Sequence, residues 1–402
     1  MASMKSRPVT PAVLMNRKRT RPKIFWLILP SVTAMALTAV NVMAGEFTFG
    51  VDLSYVNEME DCGAVFREDG EVKDPYSLFA EHGAGLVRVR LWNDAEWTSY
   101  SNLADVKRTI ARSREQGMKV LLDFHYSDDW ADGDKQIIPK AWASLESTDE
   151  LADALYQFTF DTLVELHGEG LLPEWVQVGN ETNPELMRGP ESGKEPINWE
   201  RNSQLFNAGI RAVRDVSRKT AMPIEVMLHI AQPENVLPWF EAAWEAGVRD
   251  FDQIGISYYR RWSSENFDGL ARVLRTVKER YSFAQVIVVE TSYPWTLEGA
   301  DKAANLLNGN TLIEGYPATV EGQTAYLSDL TQLIMDAGGE GIVYWEPAWV
   351  STGCSTRWGE GSHWENATFF DFNNGNEVLP SINFMRREYR IGEAKSGQLE
   401  SN

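Results

Sequence analysis

Two glutamates close apolar, β-rich runs of the sequence. Glu181 ends the run WVQVGNE that begins at Trp175, and Glu290 ends the run VIVVE that begins at Val286. Burying an isolated carboxylate is costly, so each side chain should face solvent or a polar pocket. Either acid alone would indicate little, because the chain carries 58 acidic residues. As a pair about 5 to 5.5 Å apart, they could act as proton donor and nucleophile in the cleavage of a glycosidic bond with retention.

Eight short β-rich runs alternate with helical patterns after the first 44 residues. This order predicts a parallel sheet, and eight strands predict a closed (β/α)₈ TIM barrel in a single domain. Reactive side chains in such barrels lie where strands end and loops begin, as both glutamates do. The predicted strands span Phe47 to Leu53, Leu86 to Trp92, Lys119 to Tyr126, Trp175 to Glu181, Ile224 to Ile230, Gln253 to Tyr259, Val286 to Ser292 and Gly341 to Glu346.

The stretches between these strands carry apolar residues at intervals of three and four, the spacing of amphipathic helices. An open, doubly wound sheet is the alternative arrangement of such elements. No glycine-rich phosphate loop follows the first strand, so a nucleotide-binding sheet is disfavoured. Helices are predicted at Leu103 to Gln116, Asp149 to His167, Asn202 to Arg218 and Thr324 to Ala337, among others.

The N-terminus has the organisation of a secretory signal peptide. Seven basic residues and no acidic residue precede an apolar stretch from Ile24 to Ala44, and Val42 and Ala44 suit cleavage before Gly45. An uncleaved membrane anchor is the alternative, but Pro30 and polar residues interrupt the apolar stretch. We therefore predict a secreted protein, periplasmic or extracellular, with a signal peptide at 1–44, a barrel at 45–391 and a polar tail at 392–402.

The mature chain is strongly acidic. Without the seven basic residues of the leader it has 31 basic and 58 acidic groups, a net charge of −27 at pH 7. Such a surface repels phosphate backbones and anionic lipids, so we expect neither nucleic acid nor membrane as a partner. An uncharged glycan meets no such repulsion, although the acidity also favours solubility. We expect a monomer.

Motifs at six of the eight strands, or in the loops beside them, resemble a known enzyme family. Asn180-Glu181 together with Glu290 resembles the clan of retaining barrel glycosidases that includes cellulases, mannanases and xylanases. Further segments resemble glycoside hydrolase family 53, the endo-β-1,4-galactanases, from about Phe47 to about Phe384. These segments are GVDLSYV at Gly50, RVRLW at Arg88, LLDFHYSDDWAD at Leu121, WVQVGNE at Trp175, GYPAT at Gly315 and YWEPAW at Tyr344.

The resemblance implies a reaction and a role for three residues. Glu181 matches the family's proton donor and Glu290 its nucleophile, and Asn180 matches an asparagine that hydrogen-bonds the sugar 2-hydroxyl. The implied substrate is the β-1,4-galactan of type I arabinogalactan, a side chain of plant pectin. The implied reaction is a double displacement that requires no cofactor.

Polar residues at the ends of strands two and three match further family positions, namely Arg90, Asp123 and His125. We expect all three to bind substrate. An arginine fork beside an acid can hold a nucleophilic carboxylate and orient a sugar, and we assign that role to Arg90. Arg88 shares its strand face with Arg90. We expect Arg88 to form an inward ion pair that only stabilises the barrel.

Tryptophan is frequent, with 15 in the chain. Aromatic faces stack on sugar rings, and a row of them suits a polymer in an open groove, although about half should pack in the core or loops instead. We expect Trp92 and Trp130 to bind substrate and Trp345 to form the floor beneath the cleaved sugar. Tryptophans at or after predicted strand ends are Trp92, Trp130, Trp142, Trp262, Trp295, Trp345, Trp349, Trp358 and Trp364.

Strand six brings two adjacent tyrosines to the same end of the barrel. Either Tyr258 or Tyr259 is expected to hydrogen-bond the nucleophile, because strand parity does not choose between them, and we assign Tyr258 to substrate binding. No metal site is predicted, since the histidines are not spaced with acids or cysteines as zinc ligands are. Structural roles are expected for His82, His167, His229 and His363.

The loop after strand seven is rich in oxygen ligands but lacks a recognisable calcium pattern. Some bacterial members of the resembled family hold calcium in the loops after strands seven and eight. Calcium therefore stays open as a structural ion and is not predicted. The oxygen-bearing residues are Glu298, Asp301, Asn305, Asn308 and Asn310.

Cys62 and Cys354 are the two cysteines of the chain. Cys62 follows the first strand and Cys354 the eighth, and these strands become neighbours when the barrel closes. Export to an oxidising compartment then predicts a disulfide between them. Two unpaired, buried thiols are the alternative.

Two other functions remain open at this level. Another barrel glycosidase, such as a β-mannanase or cellulase, would carry the same pair of acids. A non-catalytic glycan-binding protein would keep the groove, but it has no need of two converging glutamates.

Overall fold

Eight parallel strands close into a barrel, as predicted, and all eight occur in the predicted order. The structure, a computed structural model, describes residues 47–188 and 196–390, so the proposed leader and tail lie outside the described residues. The first strand pairs with the last, with Thr48 opposite Gly341, which closes the ring. The barrel strands are β1 Thr48–Asp52, β2 Leu86–Leu91, β3 Lys119–Phe124, β4 Trp175–Val178, β5 Glu225–Ala231, β6 Gln253–Ser257, β7 Gln285–Thr291 and β8 Gly341–Tyr344.

Helices cover the outside of the barrel with their apolar faces, which the periodicity predicted. Several begin at side-chain caps, for example Ser147, which forms a capping box with Glu150. No helix in the described ranges is long and apolar enough to cross a membrane. The helices are α1 Val56–Asp61, α2 Pro75–Glu81, α3 Leu103–Glu115, α4 Thr148–Gly168, α5 Trp199–Thr220, α6 Pro233–Glu245, α7 Phe267–Arg280 and α8 Val320–Asp336.

The barrel interior has an apolar layer beneath a polar layer. Side chains of a strand alternate between its two faces, so residues two apart share the interior. Leu86 and Leu121 belong to the apolar layer, whereas Arg88 and Asp123, two residues further on, are buried polar groups. The polar layer therefore lies toward the C-terminal mouth. The apolar layer consists of Leu86, Leu121, Trp175, Met227, Ile287, Val289 and Val343.

Strand β7 contains an irregularity that determines where Glu290 points. Val288 pairs with Ile256, but Glu290 pairs with the next residue, Ser257, so Val289 is an extra residue in β7. Val289 faces the interior layer, and strict alternation would turn Glu290 outward toward the helices. The bulge resets the alternation, and Glu290 also faces the interior.

The predicted disulfide is present. Cys62 and Cys354 are bonded, with their Cα atoms 5.8 Å apart. Cys62 follows α1, and Cys354 precedes a short hairpin formed by Ser355–Thr356 and Gly359–Glu360. The bridge thus ties the loop after β1 to the loop after β8 across the closure of the barrel.

Candidate active site

The barrel brings Glu181 and Glu290 together at its C-terminal mouth. One carboxylate oxygen of Glu181 and one of Glu290 lie within 4.8 Å of each other. Glu181 follows β4 by three residues, whereas Glu290 is the penultimate residue of β7. In the barrel order only β5 and β6 separate the two strands, so the pair converges at the mouth although 109 positions separate the residues in the chain.

A glycine turn after β4 aims Glu181 into the cleft. Gly179 has φ +82°, and a Cβ there would lie 2.7 Å from Thr182 and 2.9 Å from Leu186. A side chain at this position would clash and strain the backbone. Glu181 itself has φ +43°, an uncommon conformation for a residue with a Cβ. Such local strain is typical of functional sites.

Glu290 is held by an arginine and a tyrosine. Arg88 Nη1 lies 2.8 Å from its Oε1, and the Tyr259 hydroxyl donates to its Oε2 at 3.0 Å. The assignment of this role to Arg90 was wrong, and so was that of Tyr258 to substrate binding; of the two tyrosines left open for the hydrogen bond, Tyr259 makes it. Arg88 lies one layer deeper than Arg90, level with the nucleophile position, and the Tyr258 hydroxyl points away and donates to the Glu265 carbonyl.

Arg88 is the centre of the polar layer rather than a purely structural ion pair. Besides Glu290, its guanidinium contacts Asp52, Asp123 and Asn180, each at 2.7 Å. Three carboxylates around one buried cation compensate its charge and fix its plane. Arg88 therefore links Glu290 to Asn180, which is the neighbour of Glu181.

Asp123 and His125 lie beneath the cleft and support Arg88. His125 Nε2 is 3.0 Å from Asp123 Oδ2, and its Nδ1 accepts from the Ala131 amide at 3.3 Å. These contacts place the histidine proton on Nε2, where it donates to Asp123. Both side chains are buried, so they are positioned to orient Arg88 and the loop at Ala131 rather than to contact a ligand.

His229 belongs to the site, although the sequence suggested an ordinary structural role. Its Nδ1 lies 2.9 Å from Asn180 Oδ1 and its Nε2 lies 2.8 Å from the Ser257 hydroxyl. Burial and the charge of Arg88 lower the pKa of His229 well below its ordinary value, so the ring is neutral. Ser257 also hydrogen-bonds Glu181, so His229 orients both Asn180 and the Glu181 side of the site.

The two glutamates titrate as a coupled pair. Burial raises the pKa of Glu181 to about 7 and that of Glu290 to about 8, and the charge of Glu181 contributes to the second value. Protonated Glu181 carries no charge and does not raise the pKa of Glu290, so the loss of a proton from one glutamate depends on the charge of the other. Arg88 lowers the pKa of both glutamates, but it contacts only Glu290 directly, at 2.8 Å, so the first negative charge resides on Glu290. The singly ionised pair thus combines a proton on Glu181 with a carboxylate on Glu290.

A cleft of about 800 Å³ opens above the pair. Its walls combine aromatic rings with the polar groups Asn180, Asn183, Gln232 and Asn235. Glycan-sized grooves of this composition offer stacking faces and hydrogen bonds together. The aromatic residues that line the cleft are Trp130, Tyr259, Trp262, Trp345 and Trp364.

Besides Asp123, His125 and Tyr258, two more residues assigned to substrate binding do not line the cleft. Arg90 and Trp92 are both 2 % exposed and lie beside each other, with the Arg90 guanidinium 4.9 Å from the Trp92 ring centroid. Trp92 also packs against Trp97 and Trp130. Its position at the end of β2 therefore makes it a packing residue, whereas Trp130 and Trp345 line the cleft as expected.

The residues around the pair do not suit a metal ion. Glu181, His229 and Glu290 come close enough to share one, but both nitrogens of His229 are engaged by Asn180 and Ser257. Glu290 is already paired with Arg88. A cation there would compete with the guanidinium.

Oxygen ligands for a structural cation meet elsewhere, between the loops after β7 and β8. Asp301 hydrogen-bonds Glu365, whose Oε1 lies 3.4 Å from Asn305 Nδ2. Glu365 Oε2 and Asn305 Oδ1 are buried and lack partners within the described ranges. Asn305 and Glu365 are thus the residues that would offer oxygens to a structural cation. Both oxygens of Asp301 already accept hydrogen bonds, from the Ala303 and Ser362 amides, and calcium stays unpredicted. In contrast, Asn308 Oδ1 is used by the Asn310 amide.

Comparisons with known proteins identify one family. Residues 48–385 match the model of glycosyl hydrolase family 53. An arabinogalactan endo-β-1,4-galactanase of Cellvibrio japonicus is 53 % identical over 86 % of this chain and 92 % of its own. An endo-β-1,4-galactanase of Bacillus subtilis is 34 % identical over 85 % and 86 %, respectively. The solved structure of an Ignisphaera aggregans GH53 catalytic domain superposes with a TM-score of 0.78 at 33 % identity, covering 86 % of this chain and 97 % of that one.

Proposed function

The chain belongs to glycosyl hydrolase family 53, and from that premise we propose that it is a secreted, retaining endo-β-1,4-galactanase. Its substrate would be the β-1,4-galactan of type I arabinogalactan, a side chain of pectin. The names of the similar Cellvibrio japonicus and Bacillus subtilis proteins support a β-1,4-galactan as the substrate. Glu181 would be the acid/base and Glu290 the nucleophile.

The spacing of the two carboxylates carries the proposal. Retaining enzymes hold the two groups about 5 to 5.5 Å apart, whereas inverting enzymes leave about 6.5 to 9.5 Å for a water molecule. Oxygens of Glu181 and Glu290 within 4.8 Å of each other favour retention. The Arg88 contact favours Glu290 as the ionised member of the pair.

In the first step, a carboxylate oxygen of Glu290 attacks the anomeric carbon of the sugar at the cleavage point. The bond from that carbon to the glycosidic oxygen breaks, and the proton of Glu181 passes to the departing oxygen. The products are a galactosyl ester of Glu290 and a shortened chain with a free 4-hydroxyl. The Tyr259 hydroxyl, 3.0 Å from Glu290 Oε2, keeps the attacking carboxylate in place.

In the second step, Glu181 is ionised and takes a proton from a water molecule. The water oxygen bonds to the anomeric carbon, and the ester bond to Glu290 breaks, which regenerates its carboxylate. Two inversions at one carbon leave the β configuration. The raised pKa of Glu181 suits a group that must both donate and accept a proton in each cycle.

Sugar binding would use the aromatic and amide groups of the cleft. Trp345 would stack beneath the cleaved sugar, and Trp130 would contact the chain beside it. Asn180 is held by Arg88 and by a 2.8 Å bond from its Nδ2 to the Ala131 carbonyl. Its second amide hydrogen would bind the sugar 2-hydroxyl. No step needs a metal ion or organic cofactor.

We also propose export and a monomeric state. The Cys62–Cys354 disulfide supports an oxidising compartment, and the acidic surface disfavours nucleic acid and anionic membranes as partners. Size-exclusion chromatography with light scattering tests the oligomeric state. Mass determination of the protein from the culture fluid and the periplasm tests cleavage after Ala44 and separates the two locations.

Replacement of each glutamate tests the catalytic assignment. Glu181→Ala and Glu290→Ala should each lower turnover on galactan by several orders of magnitude while the folded state persists. Added azide should yield a β-galactosyl azide with Glu181→Ala and, where it restores activity to Glu290→Ala, the α-azide. Glu314→Ala, an exposed glutamate in the loop after β7, is the matched control. Near-native turnover of either active-site variant would contradict the assignment.

Digestion of potato galactan tests the substrate and mode of attack. Short oligomers as early products, with little release from mannan or soluble cellulose, are expected. Galactose alone would contradict endo action, and faster hydrolysis of mannan or cellulose would identify a different barrel glycosidase. Proton NMR of the early products should show the β anomer first, and an initial α anomer would exclude retention.

A further inference from the structure

Arg90 is a buried cation enclosed by aromatic rings. Its guanidinium carbon lies 4.2 Å from the ring centroid of Tyr55, 4.4 Å from that of Trp130 and 4.9 Å from that of Trp92. A guanidinium over the face of an aromatic ring is attracted by the ring's quadrupole, most strongly where water is excluded. With 2 % exposure, Arg90 meets that condition. The rings of Tyr55, Trp92 and Trp130 therefore form an aromatic cage around the charge of Arg90.

Glu346 is the acidic partner of Arg90: burial raises the pKa of Glu346, and the ion pair with Arg90 lowers it. Arg90 Nη1 lies 2.7 Å from Glu346 Oε1, and Glu346 Oε2 accepts from the Tyr55 amide at 3.2 Å. Arg90 Nε has no hydrogen-bond partner among the described residues. One carboxylate and the ring faces thus compensate the cation, so the loss of the carboxylate would leave a buried charge without its ion pair.

Two of the tryptophans that line the cleft are attached to this ion pair. Trp130 is a wall of the cage, and Trp345 directly precedes Glu346 in the chain. Their ring centroids are 5.9 Å apart, and both line the cleft above Glu181 and Glu290. Glu346 has φ +50°, so its backbone is held in an uncommon conformation at the point where Trp345 is aimed into the cleft.

A second aromatic contact closes the cage on the side of β8. Tyr55 stacks on Trp349 with centroids 4.0 Å apart, and Trp349 lies 6.2 Å from Trp345. Tyr55 is thereby fixed from both faces, by the cation and by an indole. Movement of Arg90 or Glu346 would be transmitted to Trp130 directly and to Trp345 through the backbone.

We propose that Arg90 and Glu346 are positioning residues, whose ion pair orients Trp130 and Trp345 as the stacking surface for the galactan chain. This inference rests on the proposed function, because it takes the two indoles as sugar-binding groups. Neither residue lines the cleft, and the nucleophile is held by Arg88 instead. The pair therefore acts on substrate binding through the tryptophans rather than on bond cleavage.

Glu346→Gln tests the proposal, because it removes the charge and keeps the shape. We expect KM for galactan or a galacto-oligosaccharide to rise about tenfold, equivalent to about 1.4 kcal/mol of binding. The kcat should stay within about twofold, because stacking contributes similarly to the bound ground state and the transition state. Arg90→Lys keeps the charge but loses the planar face, and it should change KM in the same direction. An unchanged KM in both variants, or a fall in kcat alone, overturns the proposal.

A similar cluster away from the cleft provides the matched control. Arg112 lies 4.2 Å from the ring centroid of Tyr76 and pairs with Glu60 at 3.0 Å. Glu60→Gln should lower the melting temperature and leave KM unchanged. If Glu60→Gln raises KM as much as Glu346→Gln does, the effect is general destabilisation and the proposal fails.

Near-ultraviolet circular dichroism measures tryptophan orientation without substrate. The spectrum above 285 nm should change in Glu346→Gln and Arg90→Lys but not in Glu60→Gln. Unchanged spectra in both cage variants overturn the proposal whatever the activity. If wild type fails to hydrolyse galactan while these spectra change as expected, the proposed substrate fails and the structural part of the inference stands.

Discussion

Removal of the Cys62–Cys354 disulfide should destabilise the protein without abolishing catalysis. The double variant Cys62→Ser/Cys354→Ser replaces both thiols, so no free cysteine can form other bridges. The bridge joins the loops after β1 and β8, outside the set of residues that lines the cleft. Both glutamates and Arg88 should therefore keep their geometry in the folded variant.

The size of the effect follows from the 292 residues that separate the cysteines. The chain-entropy relation for a closed loop of this length gives about 5 to 6 kcal/mol at 25 °C, an upper limit because denatured chains retain structure. We expect about 3 to 5 kcal/mol in practice. With an unfolding entropy of about 2.1 cal/mol/K per residue over roughly 345 residues, this lowers the melting temperature by roughly 4 to 7 °C.

Thermal unfolding followed by circular dichroism, with and without a reductant, measures this effect. Wild type under reducing conditions should approach the double variant, and the double variant should be insensitive to the reductant. Galactan hydrolysis at 25 °C should stay within about twofold of wild type for both. Equal melting temperatures for the oxidised wild type and the double variant would refute the loop-entropy reasoning.

Other predictions concern the groups around the glutamates. Tyr259→Phe should lower kcat/KM by about ten- to a hundredfold, because the nucleophile loses a hydrogen bond, whereas Tyr258→Phe should keep kcat/KM near the wild-type value. An equal loss of kcat/KM in the two variants would contradict the contact between Tyr259 and Glu290. Arg88→Gln should move the acidic limb of the pH profile of kcat/KM to higher pH, because it removes the positive charge that lowers the pKa of Glu290; an unmoved limb in the residual activity would exclude this coupling. Activity should decline above pH 7, because Glu181, the proton donor, has a pKa of about 7 and loses its proton. The residual activity of Glu181→Gln should not show this alkaline decline, since glutamine has no proton to lose in this range. Burial raises the pKa of Glu181 from its ordinary value of 4.5 to about 7 in the folded state, so the folded state of wild type loses stability as the pH rises from 4.5 to 7. Glu181→Gln should therefore be more stable than wild type at pH 8, by about 1 to 2 kcal/mol in urea unfolding. Equal stability of the two proteins would contradict a buried carboxyl with a raised pKa.

The barrel could be predicted from the sequence because its signals are local. Runs of apolar, β-branched residues between amphipathic stretches determine strand and helix order, and eight such repeats allow few closed arrangements. All eight strands were found within a few residues of their predicted limits. The Cys62–Cys354 pairing followed from the same closure, since the first and last strands must be neighbours.

The convergence of Glu181 and Glu290 was also predictable, because both follow strand ends at one face of the barrel. The sequence could not show which neighbours contact them. Arg88 and Arg90 share a strand face, and their difference is one of depth, which depends on the stagger of strands around the barrel. Arg88 lies at the level of Glu290, and Arg90 lies above it among the rings of Tyr55 and Trp130.

The direction of Glu290 was decided by tertiary structure alone. Ile287 and Val289 face the interior, and a regular strand would turn Glu290 outward. The bulge at Val289 is a feature of the pairing of β7 with β6 and β8. The sequence of β7 alone does not predict this pairing. Local sequence patterns thus determined the strands and helices, and the end of the barrel at which the catalytic glutamates lie. The depth and rotation of each side chain depended on register between strands, because register is set by packing across the whole barrel.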